Sequence, residues 1–348
     1  MDKPYLFTLA EAEKKDLFAA GASRTGLPSY VLEKDYYVTL VLKLLFEKLK
    51  PKHTGKSSTP FMFKGGTTLS KVFHCIDRMS EDIDLSLDMK FLGHPEPEGG
   101  EKNTPRKKRV EKLNSAAADT VSNVLAPFLV DELRQIHSEF TVKVAPNGLD
   151  IEIFYPQLCQ APVGGYIRPR VLLECGGKAG LEPSDTHTVI PMVLEGLRVQ
   201  HDDSCIVDVL GCDRTFFEKL TALHEINHRG VAGLGERQSR HIYDVIAIHE
   251  QNPGFIDNQE LLAKVVDHKQ KYFKRAAAKW NEAVPGSIKI VPEGEIAEAL
   301  EADWEKMGVM FPGDLPWSFA DMMQKLKEIS DQINGPKTLG EDIESKST

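Results

Sequence analysis

The sequence lacks the marks of several protein classes. No run approaches the ~20 consecutive apolar residues of a transmembrane helix, and the N-terminal segment MDKPYLFTLAEAEKKDLFAAG is charged where a signal peptide requires an uninterrupted apolar stretch. The five cysteines are odd in number and form no CxxC pair, which indicates free thiols in a reducing compartment. The formal net charge is −9, so the protein cannot coat nucleic acid indiscriminately and any RNA contact must be local. We therefore expect a cytoplasmic protein without a membrane segment.

The hydrophobic patterns divide the chain into two parts. Residues 9–20, 29–50 and about 110–137 have helical periodicity, whereas short alternating runs predict strands. These runs are FMFK, DIDLSL, FTVKV, LDIEIFY, RPRVLLECG and SCIVDVLG. From residue 213 onward only helical patterns remain.

These patterns predict the domain organisation. We expect an α/β domain over residues 1–212, a helical domain over 213–334 and a disordered tail over 335–348. The segment GHPEPEGGEKNTPRKKR, residues 93–109, is rich in Gly, Pro and charge, and we interpret it as a mobile loop of the first domain.

The segment MSEDIDLSL, residues 79–87, places two carboxylates on one face of a predicted strand. Ile83, Leu85 and Leu87 alternate with Asp82 and Asp84, so the apolar and acidic side chains point to opposite faces. Alternate Cα atoms on a strand lie ~7 Å apart, close enough for both carboxylates to converge on one cation. Hard oxygen ligands suit Mg²⁺ or Mn²⁺, which leave positions open for phosphate oxygens. The pair therefore indicates a metal that also holds a nucleoside triphosphate, although an isolated DxD is more often a solvated strand face.

The preceding KGGTTLSK strengthens the metal interpretation. Gly65 and Gly66 at a strand-to-helix turn allow close backbone approach, and Thr67 or Thr68 can cap the helix. A helix N-terminus offers unpaired N–H groups to phosphate. The spacing is not that of a P-loop, because no glycine immediately precedes Lys71.

These motifs support a resemblance to known enzymes. FKGGTTLSK followed by RMSEDIDLSL resembles the signature of the nucleotidyltransferase superfamily related to DNA polymerase β, a Gly-Gly or Gly-Ser helix followed by a strand carrying DxD. More narrowly, LEKDYYVTLVL, RTFFEKLTALH and RHIYDVIAI are similar to segments of the AbiEii/AbiGii toxin family, which includes the MenT toxins. The resemblance implies an α+β fold, with a nucleotidyltransferase-like mixed sheet flanked by helices and a helical C-terminal domain after it.

The resemblance also implies further site residues. The superfamily takes a third carboxylate from a later strand, for which Glu174 is the candidate and Glu152 competes. Lys219 resembles the lysine of the toxin family's third motif, and Asp244 matches the aspartate of its fourth. The expected catalytic residues are thus Asp82, Asp84, Glu174, Lys219 and Asp244, with Asp82 and Asp84 as metal ligands. The expected nucleotide-binding residues are Gly65, Gly66, Thr67, Thr68, Lys71, Ser80 and Arg240.

The implied reaction is Mg²⁺-dependent transfer of NMP from an NTP to an RNA acceptor such as the 3′ end of tRNA. An enzyme of this family would be the toxin of a toxin–antitoxin or abortive-infection system for phage defence, with an antitoxin encoded nearby. A local basic patch of Lys269, Lys271, Lys274 and Arg275, beside aromatic residues, could contact RNA or could be an ordinary solvated helix.

Two other functions compete with this one. HEINH at residues 224–228 matches the HExxH motif of zinc metalloproteases, with Glu250 as a conceivable third ligand, but it overlaps a segment already matched to the toxins. A non-catalytic nucleotide-binding module could share the fold, since fold alone does not settle function. The intact DxD argues against such a module.

Overall fold

A mixed sheet organises the N-terminal part of the molecule. The computed structural model describes residues 3–94, 101–162 and 167–335. Seven strands form one sheet in the order β3-β4-β5-β2-β1-β7-β6. They are β1 (Phe61–Lys64), β2 (Ile83–Leu87), β3 (Thr141–Val144), β4 (Asp150–Phe154), β5 (Val171–Gly176), β6 (Ser184–Val189) and β7 (Cys205–Leu210).

The sheet combines both kinds of strand pairing. β1 runs antiparallel to β2 and parallel to β7, while β2 runs parallel to β5. The remaining pairs, β3 with β4, β4 with β5 and β6 with β7, are antiparallel. Helices pack against the sheet, and the expected α+β fold with a mixed sheet is confirmed.

Helices make up most of the rest of the described chain. They are α1 (Glu11–Thr25), α2 (Ser29–Lys43), α3 (Gly66–Lys71), α4 (Asn103–Thr120), α5 (Ala126–Ile136), α6 (Met192–Leu197), α7 (Cys212–Arg229), α8 (Arg240–Gln251), α9 (Gln259–Tyr272), α10 (Glu295–Glu305) and α11 (Phe319–Asn334). π-Helical turns continue α2 over Leu44–Leu49 and join α4 to α5 over Val121–Leu125. Within the described residues, no helix is long and apolar enough to cross a membrane.

Two large hydrophobic cores and a small third cluster hold the described elements together. In the first, the apolar face of the sheet, including Ile83 and Leu85, packs with residues of α2 such as Leu32 and Tyr36. The second core is built mainly from residues between the start of α7 and the end of α11. Three further residues of this core, Leu69, Cys75 and Ile76, come from α3 and the loop after it. The phosphate turn predicted from the sequence is therefore joined to both cores, and the domain boundary at 212/213 stays a prediction.

The sequence interpretation of residues 93–109 is wrong in its second half. α4 begins at Asn103. The helix tolerates Pro105 because this residue lies in the first helical turn, where a missing N–H breaks no intrahelical hydrogen bond. Arg109 is fixed by an ion pair with Glu101 (2.9 Å) and lies over the ring of Tyr272. The remaining part of the predicted loop includes residues 95–100, which lie outside the described residues, as do residues 336–348 of the predicted tail.

Candidate active site

A row of acidic side chains crosses three neighbouring strands. In the strand register, Asp84 on β2 lies opposite Glu174 on β5, and Glu174 lies opposite Asp150 on β4. Neighbours in register project from the same face of a sheet. The opposite face carries Ile83, Leu85 and their buried partners. The predicted alternation thus brings Asp84 and Glu174 together, with Asp82 just before the strand.

The competing carboxylate, Glu152, has a different environment. Glu152 forms an ion pair of 2.9 Å with Arg170 and lies opposite Leu172, two residues along β4 from Asp150 of the acidic row. Glu174 is exposed and directly opposite Asp84. The geometry favours Glu174 as the third carboxylate, and its catalytic role stays a prediction.

The glycines fit closely against these groups. Gly65 has φ +85°, in the left-handed region, and a Cβ on it would overlap Oδ2 of Asp84. A Cβ on Gly66 would lie 2.6 Å from the Ser80 hydroxyl oxygen. Only glycine allows the turn to approach the carboxylate in this way. The turn and the acidic strand therefore form one site.

Hydroxyl groups brace the turn. The Thr67 hydroxyl donates to the carbonyl oxygen of Asp82 (2.5 Å) and lies 3.1 Å from the hydroxyl of Ser80. The Thr68 hydroxyl donates to the carbonyl oxygen of Gly65 (2.7 Å). Both threonines are buried, so they shape the turn through backbone contacts.

The electrostatics of the acidic row suit a cation. Burial raises the pKa of both Asp82 and Asp84. Partial burial and the nearby carboxylates of Asp84, Asp82 and Asp150 raise the pKa of Glu174 to about 7. Carboxylates that repel one another in this way are stabilised by a positive ion between them.

A divalent cation fits the oxygen donors of Asp82 and Asp84. Within the described chain, no group of three or more His, Cys, Asp or Glu side chains is arranged to hold a metal ion by itself. Mg²⁺ is usually bound by one or two carboxylates together with waters and substrate phosphates, which is the donor set available here. The two aspartates would hold the ion only as part of a complex with substrate.

Basic side chains surround the acidic row. Lys34, Arg170, Arg240 and Arg237 favour the charged form of Asp82 and so limit the rise that burial causes in its pKa. Arg240 has the same effect on Asp84 and on Glu174. The structure therefore brings Arg240, predicted to bind nucleotide, within electrostatic range of all three carboxylates.

Asp244 and Lys219 form part of a buried ion-pair network. Asp244 is fully buried and accepts two hydrogen bonds of 2.7 Å from the Arg78 guanidinium, and Lys219 lies 2.7 Å from the same carboxylate. These cations hold the pKa of Asp244 below its ordinary value despite its burial. Asp244 fixes the positions of Arg78 and Lys219. Asp244 would therefore affect the reaction only through these two side chains. The catalytic roles of Lys219 and Asp244 stay predictions.

Lys71 has a carboxylate partner within the fold. Its ammonium forms a buried ion pair with Asp35 of α2, and its role in offsetting phosphate charge stays a prediction. It also donates to the carbonyl oxygen of Ile190 (3.3 Å). The six-residue helix α3 turns this side chain toward α2, where the buried Asp35 requires a positive partner. Lys71 thus stabilises the fold at this position.

The HEINH histidines do not form a zinc site. The Nδ1 atom of His224 accepts a hydrogen bond from the backbone N–H of Lys289 (3.0 Å), and its Nε2 lies 3.3 Å from the carbonyl oxygen of Lys279. Both ring nitrogens of this buried side chain are therefore occupied by backbone groups. Glu250 pairs with Lys325 (2.5 Å) on α11. The metalloprotease alternative fails on this geometry.

The predicted basic patch is partly neutralised by its neighbours. Lys271 pairs with Asp267 (2.7 Å), and Arg275 pairs with Glu225 (3.3 Å). Lys274 donates to the side-chain oxygen of Asn103 (3.0 Å). Lys269 lies over the ring of Phe273, 5.0 Å from its centroid. An RNA contact through this patch stays a prediction.

Sequence reasoning missed several residues that support the site. Glu33, Lys34 and Asp35 are adjacent in the interior of α2, and all three are buried. Lys34 pairs with Glu81, next to Asp82, and donates to the carbonyl oxygen of Arg168 (3.2 Å). The signal was available, because three consecutive charged residues interrupt an otherwise apolar helix.

Two comparisons with known proteins find a match. A family model described as the nucleotidyl transferase AbiEii toxin of type IV toxin–antitoxin systems matches residues 53–325. A comparison of structures finds MenT4, a nucleotidyltransferase toxin from Mycobacterium tuberculosis H37Rv, with a TM-score of 0.49 and 13% sequence identity. That similarity covers 92% of this chain and 90% of the other. A search of curated protein sequences finds no match.

Proposed function

The chain belongs to the AbiEii family of nucleotidyltransferase toxins of type IV toxin–antitoxin systems, and from that premise we propose that it uses Mg²⁺ to transfer NMP from an NTP to an RNA acceptor. The proposed acceptor is an RNA 3′ end such as that of tRNA. The observation that carries the proposal is the contact between the Asp84 carboxylate and Gly65, with Glu174 directly opposite on the next strand. This arrangement supports a cation held by carboxylate oxygens beside a turn that a phosphate can approach.

Each side chain of the site has a proposed role in the reaction. Asp82 and Asp84 would hold the divalent ion, which draws charge from the phosphates when it is bound. The Gly65–Gly66 turn and Ser80 position the phosphates, and Arg240 offsets their charge. Glu174, with its pKa raised to about 7, is the candidate to accept the proton of the attacking hydroxyl.

The biological setting is also proposed from the family. We propose a cytoplasmic enzyme whose activity is restrained by an antitoxin encoded nearby and which acts in phage defence. We propose residues 1–212 as the nucleotidyltransferase domain and residues 213–334 as a helical domain. The separate hydrophobic cores of the two parts support this division.

A labelling experiment tests the proposed reaction. The purified chain is incubated with each α-³²P-labelled NTP and total tRNA, with Mg²⁺ or with EDTA. We expect label in RNA only with Mg²⁺, and loss of labelling to background in Asp82→Asn and Asp84→Asn, because each removes a ligand charge. Asp16→Asn, an exposed change on α1, is the matched control and should label normally. The proposal fails if RNA gains no label, or if both site variants label as well as the control.

A further inference from the structure

We infer that Lys64 is a further catalytic residue, which binds the pyrophosphate leaving group of the transferred nucleotide. The inference rests on the proposed function, since it assigns the leaving-group side of the same site. Lys64 ends β1, immediately before Gly65, and none of the sequence motifs assigned it a role.

The strand register places Lys64 in the acidic row. Lys64 on β1 lies opposite Asp84 on β2, and Asp84 lies opposite Glu174 on β5. Phe61 and Phe63 of β1 are fully buried on the apolar face, so Lys64 belongs to the face that carries the carboxylates. Across the sheet the order is therefore Glu174, Asp84, Lys64.

This order matches an in-line displacement. Neighbouring strands lie ~4.8 Å apart, so the two outer side chains of the row flank the central aspartate on opposite sides. In nucleotidyl transfer the attacking and leaving oxygens stand on opposite sides of the α-phosphorus. With Glu174 on the attacking side and Asp84 at the metal, Lys64 lies on the side from which pyrophosphate departs.

The other lysines near the site have carboxylate partners. Lys34 pairs with Glu81, Lys71 with Asp35, and Lys219 with Asp244. Across residues 3–94, 101–162 and 167–335, no carboxylate lies within ion-pair distance of the Lys64 ammonium. Lys64 is half-buried, so part of its side chain packs against the protein.

The field around Lys64 points to an anionic ligand. Of the cations that lower the pKa of Asp84, Lys64 has the largest effect, and the same is true for Glu218 of α7. Lys64 therefore acts on both carboxylates at a distance and forms an ion-pair contact with neither. The positive charge of a bound metal ion would balance the negative charge of the Asp84 carboxylate. The Lys64 ammonium could then bind a phosphate oxygen.

In the proposed step one bond forms and one bond breaks at the α-phosphorus. The acceptor hydroxyl oxygen forms a bond to the α-phosphorus, and its proton passes to the Glu174 carboxylate. The bond from the α-phosphorus to the bridging oxygen of the β-phosphate breaks, and its electron pair stays on pyrophosphate. The Lys64 ammonium stabilises the negative charge that develops on that oxygen and its neighbours.

Pyrophosphate binding and transfer together test the inference. Mg²⁺-pyrophosphate is titrated calorimetrically into the wild type, Lys64→Gln, Lys64→Arg and the control Lys264→Gln, whose lysine is exposed on α9. We expect Lys64→Gln to raise the Kd at least about tenfold and to lower the single-turnover rate of NMP transfer about 10²–10³-fold. Lys64→Arg should recover much of both losses, and Lys264→Gln should match the wild type. We expect only a small change in the thermal unfolding of Lys64→Gln, because no direct ion-pair contact is lost.

The outcomes separate this inference from the proposed function. Unchanged pyrophosphate affinity in Lys64→Gln overturns the inference, even if the transfer rate falls, because Lys64 would then act only through the fold. Transfer at the wild-type rate in Lys64→Gln overturns it while the proposed function stands. Absence of transfer by the wild type, with Lys64-dependent binding of pyrophosphate, contradicts the proposed reaction and leaves the ligand assignment intact.

Discussion

The contact between Gly65 and Asp84 determines how closely the turn approaches the metal ligand. A methyl group at position 65 has no space beside Oδ2 of Asp84, and the φ of +85° is unfavourable for any L residue. The aspartate therefore cannot keep its position once Gly65 acquires a side chain.

We predict that Gly65→Ala lowers NMP transfer at least about a hundredfold, because displacing a reacting group by about an ångström is enough for such a loss. Gly26→Ala is the matched control. Gly26 has a similar φ of +75°, but nothing lies within 4 Å of its added Cβ. The control should lose some stability and keep its activity, as measured by thermal unfolding and labelled transfer. Equal activity in the two variants would contradict the predicted contact.

The positions of individual site residues could be predicted where a local sequence pattern determines which way the side chain points. Alternation alone placed Asp82 and Asp84 on the face opposite Ile83, and the strand register bears out the nearness of Glu174. The ion pair of Lys71 with Asp35 was not predicted, because Asp35 is distant in the chain and no local pattern shows which charges pair. Lys64 was not predicted for the same reason, because its proposed role depends on its pairing with residues of the neighbouring strands.

At the scale of elements, α2 acts as a buried support for the site. Its three adjacent charged residues each contact a different segment. The carboxylate of Glu33 accepts hydrogen bonds from the backbone N–H groups of Leu158 (2.7 Å) and Cys159 (2.9 Å). Lys34 holds Glu81, and Asp35 holds Lys71 and the N–H of Met192. α2 thereby fixes segments that come before the acidic strand β2 in the chain and segments that come after it.

The protonation of Glu33 predicts a pH dependence of stability. Burial raises its pKa from 4.5 to about 7, so between these values the folded protein binds more protons than the unfolded chain. Stability therefore falls as the pH rises from about 4.5 to 7, by up to about 3 kcal/mol. The nearby Cys159 has a pKa raised to about 12 and does not titrate in this range.

Urea unfolding across this pH range measures the effect. The slope should be reduced in Glu33→Gln, which cannot ionise, and retained in the control Glu301→Gln, an exposed change on α10. Parallel slopes for the wild type and Glu33→Gln would show that Glu33 does not account for the pH dependence.

Element boundaries were predictable where apolar periodicity was strong. The helix expected over 29–50 is present, continued by a π-helical turn, and the alternating runs became β3, β4, β5 and β7. β6 was missed because it is an edge strand with mostly exposed, polar residues, so it lacks a buried face to mark it. The start of α4 was missed because proline and charge in a first helical turn look like a loop in sequence.

At the scale of the molecule, the ion pairs of Asp244 join its two parts. Arg78 comes from the loop between α3 and β2, Lys219 from α7 and Asp244 from α8. A sequence pattern in one part cannot show such a link. The network holds the loop that leads to Asp82 against the C-terminal helices.

We predict that Asp244→Asn lowers the free energy of unfolding by about 3–5 kcal/mol, because it leaves two cations in the interior without their counter-charge. Asp267→Asn, which breaks an ion pair at the surface of α9, is the control and should cost less than about 1 kcal/mol. Urea unfolding at neutral pH measures both. A loss below 1 kcal/mol in Asp244→Asn would contradict a structural role for the network.

The pairing of β1, β2 and β5 has a consequence for which changes in chain length the protein tolerates. Hydrogen bonds between backbones set the spacing of Lys64, Asp84 and Glu174, and side chains alternate strictly along each strand. A shift of β2 by a single residue would turn the Asp84 side chain into the apolar core and expose hydrophobic neighbours such as Leu85 to water. Chemistry and folding would be lost in the same event, so length variation must be confined to the connecting segments.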